Sequence, residues 1–277
     1  MTWQIFGHQH IKKLLDKQLA SGKFPHAYLF SGPVGVGKKS LALEFAKKVL
    51  ATEKLEGHPD FHILDSEAEI TVEQVLGFIS KVGYKPFLGA KKIAVINNAE
   101  NLNIQSGNAL LKTLEEPSES SIIILIAGPG IVLPTIISRC QVLQFNILDT
   151  AGLKQFAQAG KLEASEEILG LSFGRAGRLK KMNEDKDFLI QERNTIQEFE
   201  KLKKQPLGEK FSSISRLAEL ENPELENNIL TWFLAQAQSL KFEPKDLHKV
   251  SALAEALSAL RRNMNKKLVL QALFLKM

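Results

Sequence analysis

Apolar residues follow two different patterns along the chain, and the change falls near residue 148. Before it, short runs that are almost entirely apolar alternate with segments in which apolar residues recur every three or four positions. After it, only the second pattern continues. Nearly continuous apolar runs are typical of strands covered on both faces of a parallel sheet. The pattern therefore predicts an α/β domain with a parallel sheet, followed by an all-helical region.

Individual elements follow from the same pattern. Strands are predicted at 27–30, 58–64, 91–96, 121–126 and 142–145. Helices are predicted at 5–20, 40–51, from Thr71 onward, 106–114 and 133–139, and then at 149–159, 163–171, 175–183, 186–204, 208–220, 223–241, 245–262 and 265–276. Thr71 followed by Gln74 is a capping box, which marks a helix start. The strand at 121–126 is the most apolar, and we expect it near the centre of the sheet.

One stretch combines a strand, a glycine-rich loop and a helix, and the first domain is organised around it. The predicted strand at 27–30 is followed by Gly32, Gly35, Gly37 and Lys38, and then by a helical pattern. The spacing G-x-x-x-x-G-K in this context is typical of a phosphate-binding P-loop. Backbone N–H groups and the helix N-terminus surround the phosphate, and the lysine adds a positive charge. We therefore interpret the stretch as a P-loop rather than an ordinary glycine turn.

The P-loop lacks the residue that normally completes it. Lys39 follows the P-loop lysine, at the position where a Ser or Thr hydroxyl normally binds Mg²⁺. An ATPase also needs a carboxylate at the end of a second strand, to hold Mg²⁺ and to orient the attacking water. The strand at 91–96 is followed instead by the neutral amides Asn97 and Asn98, and Glu100 is expected on the next turn. The residues indicate a phosphate-binding loop without the groups needed for hydrolysis.

Composition and charge exclude several classes of protein. The chain has 277 residues, of which 44% are hydrophobic and 24% charged, values that are ordinary for a globular protein. No uncharged apolar run reaches the ~18 residues of a membrane span, and the first residues do not resemble a signal peptide. We expect a cytoplasmic location without membrane contact. The net charge of +5 permits contact with nucleic acid, but the lysines have acidic neighbours, which is typical of a solvated surface.

Cysteine and histidine positions argue against a bound metal. Cys140 is the only cysteine, so an internal disulfide and a cysteine-built zinc site are excluded. His58 and His62 lie on a predicted strand, where four residues span ~13 Å, which is too far for both to bind one ion. We therefore expect no metal site and interpret these side chains as structural.

Four segments of the chain carry motifs of a known family. They are residues 25–38, 58–62, 108–117 and 133–140, and they include the P-loop, a Leu-Glu-Glu-Pro sequence and a Ser-Arg-Cys sequence. These motifs resemble the AAA+ clamp loaders of bacterial DNA polymerase III, whereas the part beyond Asp149 resembles them mainly in organisation. The resemblance implies a P-loop AAA+ domain at 1–147, a small helical lid at 148–183 and a helical collar for oligomerisation at 184–277.

The chain departs from the ATP-hydrolysing members of that family at three places. Those members have Thr where this chain has Lys39, and Asp-Glu where it has Asn97 and Asn98. Their polar residue on the fourth strand, which senses the γ-phosphate, falls on Ile126 or Ala127. The family's four-cysteine zinc module is also absent. The resemblance therefore implies a subunit that does not hydrolyse ATP and that requires no zinc or other cofactor.

Two kinds of site residue follow from the resemblance. A degenerate nucleotide site, in which weak binding of ADP or ATP remains open, is formed by Gly32, Gly35, Gly37, Lys38, Lys39 and Ser40. Arg139 of the Ser-Arg-Cys sequence is implied to be an arginine finger, acting on nucleotide bound by a neighbouring subunit. The implied partners are clamp-loader subunits of gamma or tau type, a clamp-opening delta subunit, and, through the assembly, a sliding clamp and primed DNA.

Two other functions are compatible with parts of the sequence. The chain would be an active ATPase subunit of gamma type if Ser40 supplied the hydroxyl that position 39 lacks. A stand-alone P-loop switch or kinase would share the loop. The long helical region argues against a kinase, which needs a substrate lid beside the phosphate and no collar.

Overall fold

The computed structural model describes residues 3–128, 132–239, 247–261 and 264–276. The strands are β1 (Ala27–Ser31), β2 (Phe61–Asp65), β3 (Lys92–Asn97), β4 (Ser121–Ala127) and β5 (Gln141–Gln144). The helices are α1 (Gln9–Ser21), α2 (Lys38–Val49), α3 (Val72–Gly83), α4 (Ile104–Glu115), α5 (Pro134–Ile137), α6 (Thr150–Gly160), α7 (Glu166–Ser172), α8 (Ala176–Glu184), α9 (Lys186–Lys204), α10 (Leu207–Leu217), α11 (Asn222–Ser239), α12 (Leu247–Arg261) and α13 (Lys266–Leu275).

The five strands form one parallel sheet in the order β2-β3-β4-β1-β5. Strand β4 is therefore central, as its apolar sequence predicted. Every residue of β1, β3 and β4 is buried, whereas β2 at one edge is partly exposed. Helices α1 and α2 pack on one face of the sheet, and α3 and α4 pack on the other. The predicted α/β fold is confirmed.

Strand β2 begins later than its apolar residues suggested. The prediction placed its start at His58, but the strand starts at Phe61. The backbone N–H of Asp60 donates to Nδ1 of His58 (3.1 Å), and the N–H of Phe61 donates to the His58 carbonyl (3.1 Å). These bonds form a turn, so His58 is not part of the strand.

Helix α1 also begins later than predicted, at Gln9 instead of residue 5. Gly7 and His8, which precede it, have φ values of +75° and +53°, a left-handed conformation that a right-handed helix excludes. At α3, in contrast, the capping box of Thr71 and Gln74 is present with both of its hydrogen bonds, as predicted.

By its internal contacts the chain separates into two compact units. The first contains the residues up to Phe156 together with Gly174–Gly177, and the second contains Ala157–Phe173 and the residues from Arg178 onward. The core of the second unit surrounds Trp232, which is fully buried and stacks on Phe199 with 5.2 Å between ring centroids. The division into domains at 1–147, 148–183 and 184–277 stays a prediction.

The second unit is helical in its described part, as the sequence predicted. The predicted helix residues 240–241, 245–246 and 262 lie outside the described residues. In the part of the chain that the structure describes, no helix is both long enough and apolar enough to cross a membrane.

Candidate functional site

The P-loop connects the end of β1 to the start of α2. Gly32, Gly35 and Gly37 have φ values of +152°, +82° and +97°, which side chains with a Cβ atom rarely adopt. A Cβ atom on Gly32 would lie 2.3 Å from the carbonyl oxygen of Phe145, so no other residue fits there without a shift of the backbone. The glycines that the sequence singled out are therefore needed for the path of the loop.

Lys38 is the first residue of α2, and its side chain lies inside the loop. Only 8% of the residue is exposed, and Nζ donates to the carbonyl oxygens of Gly32 and Pro33, the latter at 2.8 Å. Burial lowers the pKa of Lys38 to about 8; the negative charge of Glu100 raises it, and the positive charge of Arg175 lowers it further. The ammonium group of Lys38 is thus bound by the loop carbonyls. A bound phosphate would favour its charged form.

The segment Gly174–Gly177, which follows α7, contacts the same loop. The backbone N–H of Gly177 donates to the carbonyl oxygen of Gly35 at 2.8 Å. A Cβ atom at Gly177 would come within 2.9 Å of that oxygen, so glycine permits the close approach. Arg175, two residues earlier, is buried. The sequence analysis assigned neither residue to the site.

Lys39 points to the carboxyl ends of the strands, where a P-loop ATPase holds its metal. Its Nζ pairs with Oδ2 of Asp65 at 2.5 Å, and Nδ2 of Asn97 donates to Oδ1 of the same carboxylate at 2.8 Å. Asp65 and Asn97 are register partners at the ends of β2 and β3. The hydrogen bond from Lys39, and then that from Asn97, lower the pKa of Asp65. A carboxylate is therefore present here, but it comes from β2 and is neutralised by Lys39.

The side chains of Asn98 and Glu100, which follow β3, have different environments. Asn98 is left-handed, with a φ of +55°, and its Nδ2 donates to the carbonyl of Ser66 at 3.1 Å. Glu100 lies on a short 3₁₀ turn, Ala99–Asn101, as the spacing suggested. Its Oε2 atom is buried and accepts no hydrogen bond within the described part of the chain. Glu100 acts on the loop through its charge, which raises the pKa of Lys38.

These residues do not form a magnesium site. An ammonium group cannot bind a cation, and the amide nitrogen of Asn97 is directed at Asp65. The end of β4 offers the apolar side chains of Ile126 and Ala127, both buried, and Ser40 is exposed. Among the described residues, no group of three or more His, Cys, Asp and Glu side chains is arranged to hold a metal ion. The Mg²⁺ of a P-loop ATPase therefore does not fit here.

Arg139 and the P-loop lie at opposite ends of the parallel strands. It precedes β5, whereas the P-loop follows β1, and the two strands are parallel neighbours. Its Nη2 pairs with Oε1 of Glu115 at 2.6 Å, and its Nη1 donates to the carbonyl of Thr135 at 2.9 Å. About a third of the side chain is exposed. The sequence analysis did not predict the ion pair with Glu115.

The sequence analysis missed Asp65 and His8 as site residues. A feature of the sequence could have identified the first of them but not the second. Asp65 directly follows the strand predicted at 58–64, and the carboxyl ends of parallel strands lie together at one side of the sheet, so its position carried a signal. His8 carried none, because it belongs to an irregular segment. Its Nε2 lies 2.8 Å from the carbonyl oxygen of Val36 in the P-loop, and its ring packs on Phe145.

The sheet order, the glycine loop and the lysine define the class as a P-loop protein of AAA+ type. Two solved structures share the fold over 96% of the chain: a DNA polymerase III gamma subunit-related protein of Thermotoga maritima (TM-score 0.54, 20% identity, 97% of that chain) and the RuvB Holliday junction branch migration motor of the same organism (TM-score 0.51, 17% identity, 88% of that chain). At these identities the likeness establishes the fold alone.

The family follows from sequence. A family model described as DNA polymerase III, delta subunit, matches residues 7–149. The chain therefore belongs to this family of clamp-loader subunits.

Three relatives illustrate the match. The chain is 33% identical, in an alignment that covers 68% of its length, to DNA polymerase III subunit delta' of Pseudomonas aeruginosa. It is 37% identical to subunit tau of Bacillus subtilis over 60% of its length, and 31% identical to subunit delta' of that organism over 52%. The alignments cover 66%, 33% and 49% of these relatives, so the chain matches less than two thirds of the length of each.

Proposed function

We propose that this chain is a clamp-loader subunit of delta-prime type in a bacterial DNA polymerase III assembly, and that it does not hydrolyse ATP itself. One observation carries the proposal. Lys39 stands where a metal-binding hydroxyl is needed, and its ammonium group pairs with Asp65, the carboxylate beside the end of β3.

The chemistry of phosphoryl transfer explains why this arrangement argues against hydrolysis. The reaction needs Mg²⁺ on the phosphates and a group that orients the attacking water. The last residue of β3, Asn97, has a neutral amide side chain whose nitrogen donates a hydrogen bond to Asp65. The end of β4 is apolar. The P-loop glycines and Lys38 remain, so phosphate binding is retained in the proposal while turnover is not.

Arg139 is proposed to act on nucleotide held by a neighbouring subunit. Its place at the end of the strands opposite its own P-loop supports a role in trans, and its side chain is partly exposed. A guanidinium group so placed stabilises charge that develops in the transition state. The neighbours would be subunits of gamma or tau type and a clamp-opening delta subunit.

The remaining parts of the proposal concern assembly. The helical region at 184–277 would be the collar that joins the ring, the region at 148–183 the lid, and the region at 1–147 the AAA+ domain. The ring would open a sliding clamp and close it on primed DNA in the cytoplasm. The relatives' names support an assembly of DNA polymerase III subunits, and the resemblance of the motifs supports the sliding clamp and primed DNA as its partners.

Phosphate release by the purified full chain, measured with malachite green, tests the absence of hydrolysis. We expect no turnover of ATP above background, and no change in Lys38→Ala. Robust turnover that Lys38→Ala abolishes would contradict the proposal. If Ser40→Ala also removed that turnover, the chain would be an active subunit of gamma type that uses this hydroxyl.

A further inference from the structure

We propose that the ammonium group of Lys39 takes the place of Mg²⁺ in the P-loop, so that the chain binds nucleoside diphosphates and triphosphates without a divalent cation. The inference deepens the proposed function and rests on its phosphate-binding loop.

The ion pair with Asp65 places the ammonium group at the carboxyl ends of β2 and β3. Lys39 is in the first turn of α2, next to the P-loop lysine. Its Nζ shares one carboxylate, that of Asp65, with the side chain of Asn97 at the end of β3. In a P-loop ATPase the corresponding edge holds a carboxylate and Mg²⁺. Here the same edge holds a carboxylate and a covalently attached cation.

The exposure of the Lys39 side chain permits an exchange of partners. About half of the side chain is exposed, so it can turn from Asp65 towards a phosphate without breaking a core contact. A phosphate bound by the loop would compete with Asp65 for the ammonium group. Asp65 thus pairs with Lys39 when no nucleotide is bound. It opposes nucleotide binding because it competes with the phosphate for the ammonium group.

The charge of the Lys39 ammonium group predicts a difference in affinity between ADP and ATP. An ammonium group carries one positive charge, whereas Mg²⁺ carries two. The γ-phosphate of ATP adds negative charge that a single ammonium group compensates less well than Mg²⁺ does. We therefore expect ADP to bind more tightly than ATP.

Isothermal titration calorimetry of the full chain with ADP tests the inference, with either excess MgCl₂ or EDTA present. For the unmodified chain we expect Kd values in the two buffers that agree within about two-fold, less than 0.5 kcal/mol. Lys39→Thr restores a hydroxyl and releases Asp65, so its binding should depend on Mg²⁺, with Kd about ten-fold weaker in EDTA. Asp65→Asn, which removes the competing charge, should bind more tightly than the unmodified chain in both buffers.

Lys47→Thr is the matched control, because it removes one positive charge from the last turn of the same helix. It should bind ADP as the unmodified chain does, with no new dependence on Mg²⁺. Far-ultraviolet circular dichroism and thermal unfolding of each variant show whether it is folded.

Three results would overturn the inference: loss of ADP binding by the unmodified chain in EDTA, no binding of ADP in either buffer, or Mg²⁺-independent binding by Lys39→Thr. None of them would affect the proposed absence of hydrolysis or the role in assembly, which are tested by phosphate release and by reconstitution.

Discussion

Lys38 and Lys39 are neighbours in the sequence, yet the structure places them in different environments. Lys38 is buried among loop carbonyls, where burial lowers its pKa to about 8. Lys39 is half exposed and paired with Asp65. The difference arises because successive residues of a helix point about 100° apart, so one side chain enters the loop and the next faces β2 and β3. Two lysines in one motif therefore have separate roles.

Arg139→Ala tests the proposed finger in a reconstituted clamp loader. We expect the variant to fold and assemble, and to reduce the ATPase that DNA and clamp stimulate. Arginine fingers contribute ~10³–10⁵ in rate, but the loss in total turnover should be smaller because other sites in the ring keep their own arginines. Arg139→Lys should restore little, since a point charge lacks the geometry of the guanidinium group.

Glu115→Gln is the control for this experiment. It removes the ion pair with Arg139 but leaves the arginine in place. We expect most of the stimulated ATPase to remain, because an exposed ion pair contributes little to stability. An equal loss in Glu115→Gln would assign the effect to the surface ion pair. Unchanged activity in a fully assembled Arg139→Ala complex would contradict the finger.

At the scale of elements, one buried carboxylate shapes the connection between α3 and β3. The Asp60 side chain is fully buried, and its two oxygens accept hydrogen bonds from the backbone N–H groups of Phe87 (2.6 Å) and Leu88 (2.7 Å). Those two residues are themselves 81% and 66% exposed. Apolar packing does not hold this loop, so its conformation depends on Asp60.

Asp60→Asn should destabilise the first unit. The amide cannot accept both hydrogen bonds, and bonds to charged groups contribute ~1.5–3 kcal/mol each, so we expect the free energy of unfolding to fall by about 2–4 kcal/mol. Urea denaturation at neutral pH measures the loss. Asp187→Asn, the same chemical change at an exposed position of α9, should have little effect. A loss below about 0.5 kcal/mol in Asp60→Asn would contradict the anchoring role.

The same carboxylate should make stability depend on pH. Burial alone would raise the pKa of Asp60, but hydrogen bonds from the amides of Phe87, Leu88 and Gly89 outweigh it and lower the pKa. The folded-state pKa lies below the unfolded value of about 4. The stabilisation is therefore complete above that value, and it is lost as pH falls through the folded-state pKa. Urea titrations between neutral and acid pH should show this loss in the unmodified chain and less of it in Asp60→Asn.

The whole molecule contains one tryptophan in each compact unit. Trp3 belongs to the first, where its Nε1 donates to Asp16 at 3.1 Å. Trp232 belongs to the second, where its Nε1 donates to the carbonyl of Thr195 at 2.9 Å. Because the chain has only these two tryptophans, single replacements by Phe leave a fluorescent reporter for one unit at a time.

We expect the two units to unfold independently, since each has its own hydrophobic core. In the Trp232→Phe background, Asp60→Asn should lower the urea midpoint reported by Trp3. In the Trp3→Phe background, the same substitution should leave the midpoint reported by Trp232 unchanged. Equal shifts for both reporters would show that the units unfold as one. Trp232→Phe should itself cost the second unit ~1–3 kcal/mol, because it removes a buried hydrogen bond and contact area.

Local features of the sequence were enough to predict the elements, the α/β class and the P-loop. A strand, three glycines and Lys38 follow one another directly, and the capping box at Thr71 spans only one turn. The central place of β4 followed from its apolar residues, because a central strand is covered on both faces and at both edges. The starts of α1 and β2 were predicted too early, because a backbone turn leaves little trace in the apolar pattern.

Only the tertiary structure decided which distant residues meet at the P-loop. Lys39 and Asp65 are 26 positions apart, and they pair because α2 packs on the sheet and brings Lys39 to the end of β2. Gly177 reaches Gly35 through a later connection of the chain. Hydrophobic periodicity specifies which face of an element is buried, but it contains no information on which elements become neighbours. Such contacts depend on the order of the strands and the packing of the whole unit, and these set the charge around Lys38 and Lys39.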